Sequence, residues 1–192
     1  MILMALSNIN LKKYNIFVFI QLSMQNQLKI IKNHRGILLT LIADLNKEQL
    51  CEIPIGFKNN IIWNIGHILV TQQLLSYGLS NIPFTVENEL INRYRKTSVA
   101  PQMVSIDEIQ TIKKLFLDTM IDFERDYQDN KFASFNHYKT SMGLELNSID
   151  ESIPFIAYHE GIHFGIILSM MKKVSLDKLG MTNEKNPSTS SG

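Results

Sequence analysis

The chain has a single cysteine, Cys51. One thiol can form neither an internal disulfide nor a multi-thiolate zinc site. It favours a reducing compartment, so the expected location is the cytoplasm. Any transition-metal site must then be built from His, Asp and Glu. Cys51 itself lies in a Leu-Cys-Glu-Ile-Pro stretch that reads as a structural turn. An excess of charge is also missing: 19 Lys and Arg face 18 Asp and Glu, leaving +1. No net field recruits nucleic acid or an anionic membrane surface. The densest basic groups, Lys12-Lys13, Arg93 with Arg95-Lys96 and Lys172-Lys173, are short and read as solvated faces and helix ends. No apolar run approaches the roughly 20 residues of a membrane span. No Gly-rich phosphate loop, nucleophile elbow or dinucleotide fingerprint is present.

What remains is an ordinary globular balance, 45% hydrophobic and 19% charged, over 192 residues, which suits one domain with one core. Near the start, Lys12-Lys13 followed by the apolar stretch 14–22 has the outline of a secretory signal. Asn15 and Gln21 interrupt it, and no small-x-small cleavage site follows. Residues 1–23 are therefore read as a leader or misassigned start, poorly ordered. Residues 24–178 form the domain, and 179–192, ending in NPSTSSG, a disordered tail.

Four segments carry helical periodicity. The first covers roughly 25–45, with Leu28, Ile31, Leu38, Ile42 and Leu45 on one stripe, ended by Asn46. The second opens at the good capping residues Asn59-Asn60 and runs to about Tyr77, where Gly78 stops it. It is apolar almost all round, as a helix buried on several sides must be. The third starts at Ser105 with Glu108 at capping-box distance, and its stripe is Ile109, Ile112, Phe116, Met120, Phe123 and Tyr127. The fourth opens near Ser148, with Glu151 again at capping-box distance, and reaches about Val174. Pro154 means either a later start, at Ser152, or a kink. Strand-like alternation survives only around 138–146. Four such helices bury their stripes against one another, which predicts an all-α four-helix bundle. Its connections at 79–104, with a short helix near 87–94, and at 128–147 are long, and each reads equally well as a binding lid or a plain crossover.

His159 and His163 stand four apart in the fourth segment, so both rings leave one helix face a turn apart and can reach one metal at about 2.0–2.1 Å. Two core histidines bonded to side chains and water are the bland alternative. His67 lies mid-way along the most apolar helix, after Gly66, whose missing side chain permits close approach by a neighbour. A polar ring there is costly unless it is occupied, and a site shared by all three is the simpler account. His159 to His163 also spells H-E-x-x-H, the zinc-protease helix motif in which Glu is the general base. The extended form of that motif is broken by Ile166 and Ser169, and Glu184 in the polar tail is the one carboxylate beyond Asp177 to serve as third ligand. His34 and His137 read as flank or surface positions.

The stretch from Asn60 to Ile68, containing Trp-x-x-Gly-His, followed about ninety residues later by His159-Glu160-Gly161-Ile162-His163-Phe164-Gly165, resembles the DinB-like superfamily. Leu45 to Leu50 and Leu146 to Ile149 are similar as well, and the resemblance covers roughly 24–174. It implies a bundle in which one His of the second helix and two of the fourth bind a divalent metal, places occupied here by His67, His159 and His163. It also implies relatives that are metal-dependent transferases of low-molecular-weight thiols such as bacillithiol or mycothiol, or hydrolase- and isomerase-like proteins, several of them homodimers.

Three imidazoles and no thiolate leave an open coordination position, as catalytic sites do. Zinc or nickel suits such a set, with iron or manganese as alternatives. The expected function is a metal-dependent hydrolase or thiol S-transferase that activates water or a small thiol at the open position. The rival is a non-catalytic, stress-related metal-binding or dimerising bundle protein. Glu160 points about 100° away from His159 around the helix, which argues against it as a base. Asn64, one turn before His67, is the better candidate for contacting cofactor or substrate. The expected partners are a small thiol or other small molecule, with no nucleic acid and no membrane.

Overall fold

In the computed structural model the backbone is described for residues 2–178 and the side chains for 22–174. The side chains of most of the leader segment, and the whole 179–192 tail, lie outside the described residues. The fold is all-α apart from one two-stranded ribbon. In chain order come α1 (Ile2–Leu41), α2 (Lys47–Cys51), α3 (Ile61–Gln73) with a π-helical turn at Leu74–Gly78, α4 (Asn88–Tyr94), α5 (Ile106–Gln128), β1 (Tyr138–Lys139), β2 (Glu145–Leu146) and α6 (Ile149–Lys178). Helix α1 thus begins well before residue 25 and ends at Leu41 rather than at Asn46. Asn46 instead caps α2: its side chain accepts from the Gln49 N–H while Gln49 Oε1 accepts from the Asn46 N–H, a reciprocal box. Cys51 is the last, buried residue of that helix.

Each long helix packs on two others, α1 on α5 and α6, and α3 on α5 and α6. Helix α3 lies deepest, with every residue from Ile61 to Gln73 buried except Thr71. Its capping residue Asn60 accepts from the Trp63 N–H and donates its amide to the carbonyls of Cys51 and Pro101. Helix α6 runs back along α3: the Ser152 hydroxyl donates to the Leu75 carbonyl, and Asn64 meets His163 and Met170 further along.

The 79–104 connection lies along α3. The Thr85 N–H donates to Gln73 Oε1 at 2.9 Å and Trp63 Nε1 to Ser98 Oγ at 2.9 Å. The short helix expected near 87–94 is α4. The alternation at 138–146 is a hairpin with Tyr138 opposite Leu146, turned by Gly143 at φ +85°.

Capping at α5 is half of the expected box. Ser105 Oγ accepts from the Glu108 N–H, but the Glu108 carboxylate turns away to take the Tyr94 hydroxyl at 2.6 Å and Arg93 Nε at 2.8 Å. At α6, Ser148 Oγ accepts from the Glu151 N–H, and the Glu151 carboxylate takes the N–H of Asn147. The helix starts at Ile149, so Pro154 sits inside it and the later start at Ser152 is not adopted. Among the described residues, no helix is long and apolar enough to cross a membrane.

Candidate metal centre

The antiparallel α3–α6 contact brings together the three histidines picked out from the sequence. One ring nitrogen from each of His67, His159 and His163 lies within 4.8 Å of the others. Ring centroids are 5.2 Å apart for His67 and His159, 4.9 Å for His67 and His163, and 4.5 Å for His159 and His163. His67 is buried, and the other two are part-exposed. Among the described residues no carboxylate or thiol joins the group. His34 stacks on Phe164 at 5.3 Å, and His137 stands beside Glu145 on the exposed hairpin. Neither belongs to the site.

Outer hydrogen bonds fix two of the rings. His67 Nδ1 lies 2.8 Å from the Tyr94 carbonyl oxygen, which can only accept, so Nδ1 carries the proton and Nε2 keeps its lone pair. His163 Nδ1 lies 2.8 Å from Asn64 Oδ1. The other end of that amide, Nδ2, donates to the Asn60 carbonyl at 2.7 Å, which sets its orientation and makes His163 Nδ1 the donor. Both rings therefore offer Nε2, held by the kind of second contact that orients metal-ligating histidines. Asn64 reaches the site as this support for His163.

Four contacts of the site were not anticipated from the sequence, although Trp63 and Thr71 stand one helical turn either side of His67. Trp63 stacks on His67 at 4.7 Å and 9°, walling one side of the ring. Thr71, the one residue of α3 that is not buried, sets its hydroxyl 3.4 Å from His67 Nε2. The main chain of α4 supplies the acceptor for His67. The fourth is Gly66, against which the Tyr94 ring lies: a Cβ there would come 2.5 Å from Tyr94 Cδ1. The Gly66-His67 pair was the available signal, and it marked a close approach without naming the neighbour.

The electrostatics favour neutral rings. Burial first, then the neighbouring imidazoles, then Lys96 lower His159 to about 3. Burial and His67 lower His163 to about 4. Burial lowers His67 as well, opposed by its bond to Tyr94 and reinforced by Lys96. Neutral imidazoles with free lone pairs are the form that binds a cation. The donor set therefore fits a divalent transition metal, with three nitrogens from one side and no further protein ligand among the described residues.

The same geometry agrees with setting the H-E-x-x-H reading aside. Glu160 is 3% exposed and turns around α6 away from the triad toward α1, where its carboxylate takes Arg35 Nη2 at 2.6 Å. It is not available there as a general base.

Comparison with curated proteins and with solved structures found no match. A family model did match, that of the DinB superfamily, over residues 30–167, a span holding all three histidines, Asn64, the whole of α3 and α5 and parts of α1 and α6. The chain belongs to the DinB superfamily.

Proposed function

We propose that the chain is a DinB-type four-helix bundle that holds one divalent metal on His67, His159 and His163, with Asn64 as the support for His163, and that it acts as a hydrolase or thiol S-transferase on a small molecule. The observation that carries this reading is the triad itself: three rings converging from two helices, one nitrogen of each within 4.8 Å of the others, with the Nδ1 of two of them held by outer acceptors. A divalent ion bound there supplies Lewis acidity that brings the pKa of water or a thiol toward neutrality. The chain's own part is to hold three neutral donors, to wall the site with Trp63, and to place the Thr71 hydroxyl beside His67. Zinc or nickel suits three imidazoles best, iron or manganese less well. The cytoplasm and a homodimeric assembly complete the proposal.

One observation favours the non-catalytic, metal-binding or dimerising alternative. Glu160, the acid nearest the triad in sequence, is committed to Arg35, and no carboxylate joins the triad among the described residues.

Elemental mass spectrometry of the purified protein beside a His163→Ala variant separates the readings. About one equivalent of a transition metal, lost in the variant, is expected; hydrolysis and thiol transfer are then assayed with that metal. No metal after expression in metal-supplemented medium, with the variant folded as before, would sink both metal readings.

A further inference from the structure

The hydrophobic pattern of α6 chooses only weakly which way the helix faces. Ile153, Ile156, Ile167, Met170 and Val174 are buried, but Tyr158, Ile162 and Leu168 are 49%, 41% and 40% exposed on the other side. A turn of about 100° around the axis, one residue's step, would put Ser152, Phe155, Ile166, Ser169 and Lys173, or in the other sense Pro154, Ala157 and Leu168, in those places, so the apolar pattern opposes the turn only in part. Helix α1 has the same ambiguity, with Leu28, Ile31, Leu38 and Ile42 inside and Ile30, Ile37 and Leu41 outside. Something directional has to select the rotation that aims His159 and His163 at α3.

The Ser152–Leu75 and Asn64–His163 bonds tie α6 to α3, and a further buried tie joins it to α1 and α5. Arg35 of α1 is fully buried, and its guanidinium reaches two other helices. Nη2 donates to Glu160 Oε1 at 2.6 Å, and Nε lies 3.2 Å from both carboxylate oxygens. Nη1 donates to the Phe116 carbonyl at 2.9 Å and to Thr119 Oγ1 at 3.1 Å, both on α5. The Thr119 hydroxyl donates onward to the Leu115 carbonyl, which leaves its oxygen free to accept. The guanidinium also lies over the Phe116 ring at 4.7 Å from the centroid. A planar fork held at this many points tolerates little rotation of its partner.

We propose that Arg35 and Glu160 are positioning residues for the histidine triad: their buried ion pair fixes the rotation of α6 between α1 and α5, and so the direction in which His159 and His163 point. Glu160 follows His159 directly, so the tie acts on the helix turn that carries the triad. The proposal rests on the reading of the triad as a metal site, but its geometric half does not need the metal. Replacing a buried ion pair by apolar residues of similar size is often neutral or stabilising, so the pair can be removed without unfolding the protein.

The test compares the wild type with the double variant Arg35→Met/Glu160→Leu and with Arg35→Lys, which keeps the charge balance but lacks the fork. Two quantities are read: cobalt(II) affinity by competition with a chromophoric chelator, and the imidazole ¹⁵N shifts of the metal-free protein. The double variant should keep its helix content, bind cobalt about tenfold or more weakly, and lose the Nδ1–H signature of His163. Arg35→Lys should weaken cobalt several-fold. Unchanged affinity and an unchanged His163 tautomer in either variant would overturn the proposal. A wild type that binds no cobalt would defeat the metal reading. The tautomer comparison would still decide whether the pair aims the rings.

Discussion

Asn64 has a carbonyl oxygen for His163 and an amide nitrogen for Asn60, and both are engaged. Asn64→Ala therefore leaves the His163 ring free to turn and its Nδ1–H unpaired. Metal affinity should fall by about 10–100-fold with helix content retained, as measured by chelator competition. Gly66 makes a second prediction at this scale. In Gly66→Ala the new methyl would meet the Tyr94 ring, which is fully buried and held by its hydroxyl on Glu108. The ring has no room to yield, so about 1–3 kcal/mol of stability should be lost in urea denaturation. Metal affinity should fall with it, because the Tyr94 carbonyl holds His67. The histidines and Asn64 could be singled out by residue type and helical spacing. Tyr94 and Arg35 could not, because their partners stand 27 and 125 residues away along the chain.

At the scale of elements, two other glycines behave in the opposite way. A Cβ on Gly161 or Gly165 of α6 would meet nothing within 4 Å. Both residues are exposed in a helix interior, where glycine costs about 0.5–1 kcal/mol relative to alanine. Gly161→Ala and Gly165→Ala should each raise the unfolding free energy by that amount in urea denaturation and leave metal affinity unchanged. A loss of affinity in either would mean that something approaches this face in solution. Helix boundaries were legible where a side chain announces them, as with Asn60, Ser105 and Ser148. They were misread where a cap serves the next element, as Asn46 does for α2. Pro154 lies beyond the first turn of α6, which begins at Ile149 under the Ser148 cap, and has no N–H to give the Asp150 carbonyl.

For the whole molecule, burial of neutral histidines links stability to pH. In the metal-free protein His159 and His163 are held near 3 and 4, against an ordinary value of 6.5. Their folded pKa values lie below the unfolded one, so the unfolded chain binds more protons below pH 6.5. Stability is fully present above that pH and is lost as pH falls toward the folded values. Chelator-treated protein should show a lower urea midpoint at pH 5 than at pH 7, and a His159→Gln/His163→Gln variant a smaller difference. A bound divalent ion should counter the loss, adding about 2.7 kcal/mol at a hundredfold excess over its Kd, read as a rise in Tm on titration with zinc. A Tm unmoved by zinc would count against the triad as a metal site.

Local chemistry in the sequence was enough to determine an all-α chain, most of its helix starts, the histidines and the family resemblance. Each depends on residues within a few turns of one another or on a short string of types. The tertiary structure decided what spacing cannot express: the ring tautomers, the engagement of Glu160 by Arg35 rather than by the metal site, and the face α6 turns inward. That last choice needed the fold because α6 is apolar around much of its circumference. Where apolar residues lie on several sides of a helix, burial selects its rotation only weakly and directional bonds to distant helices sharpen the choice.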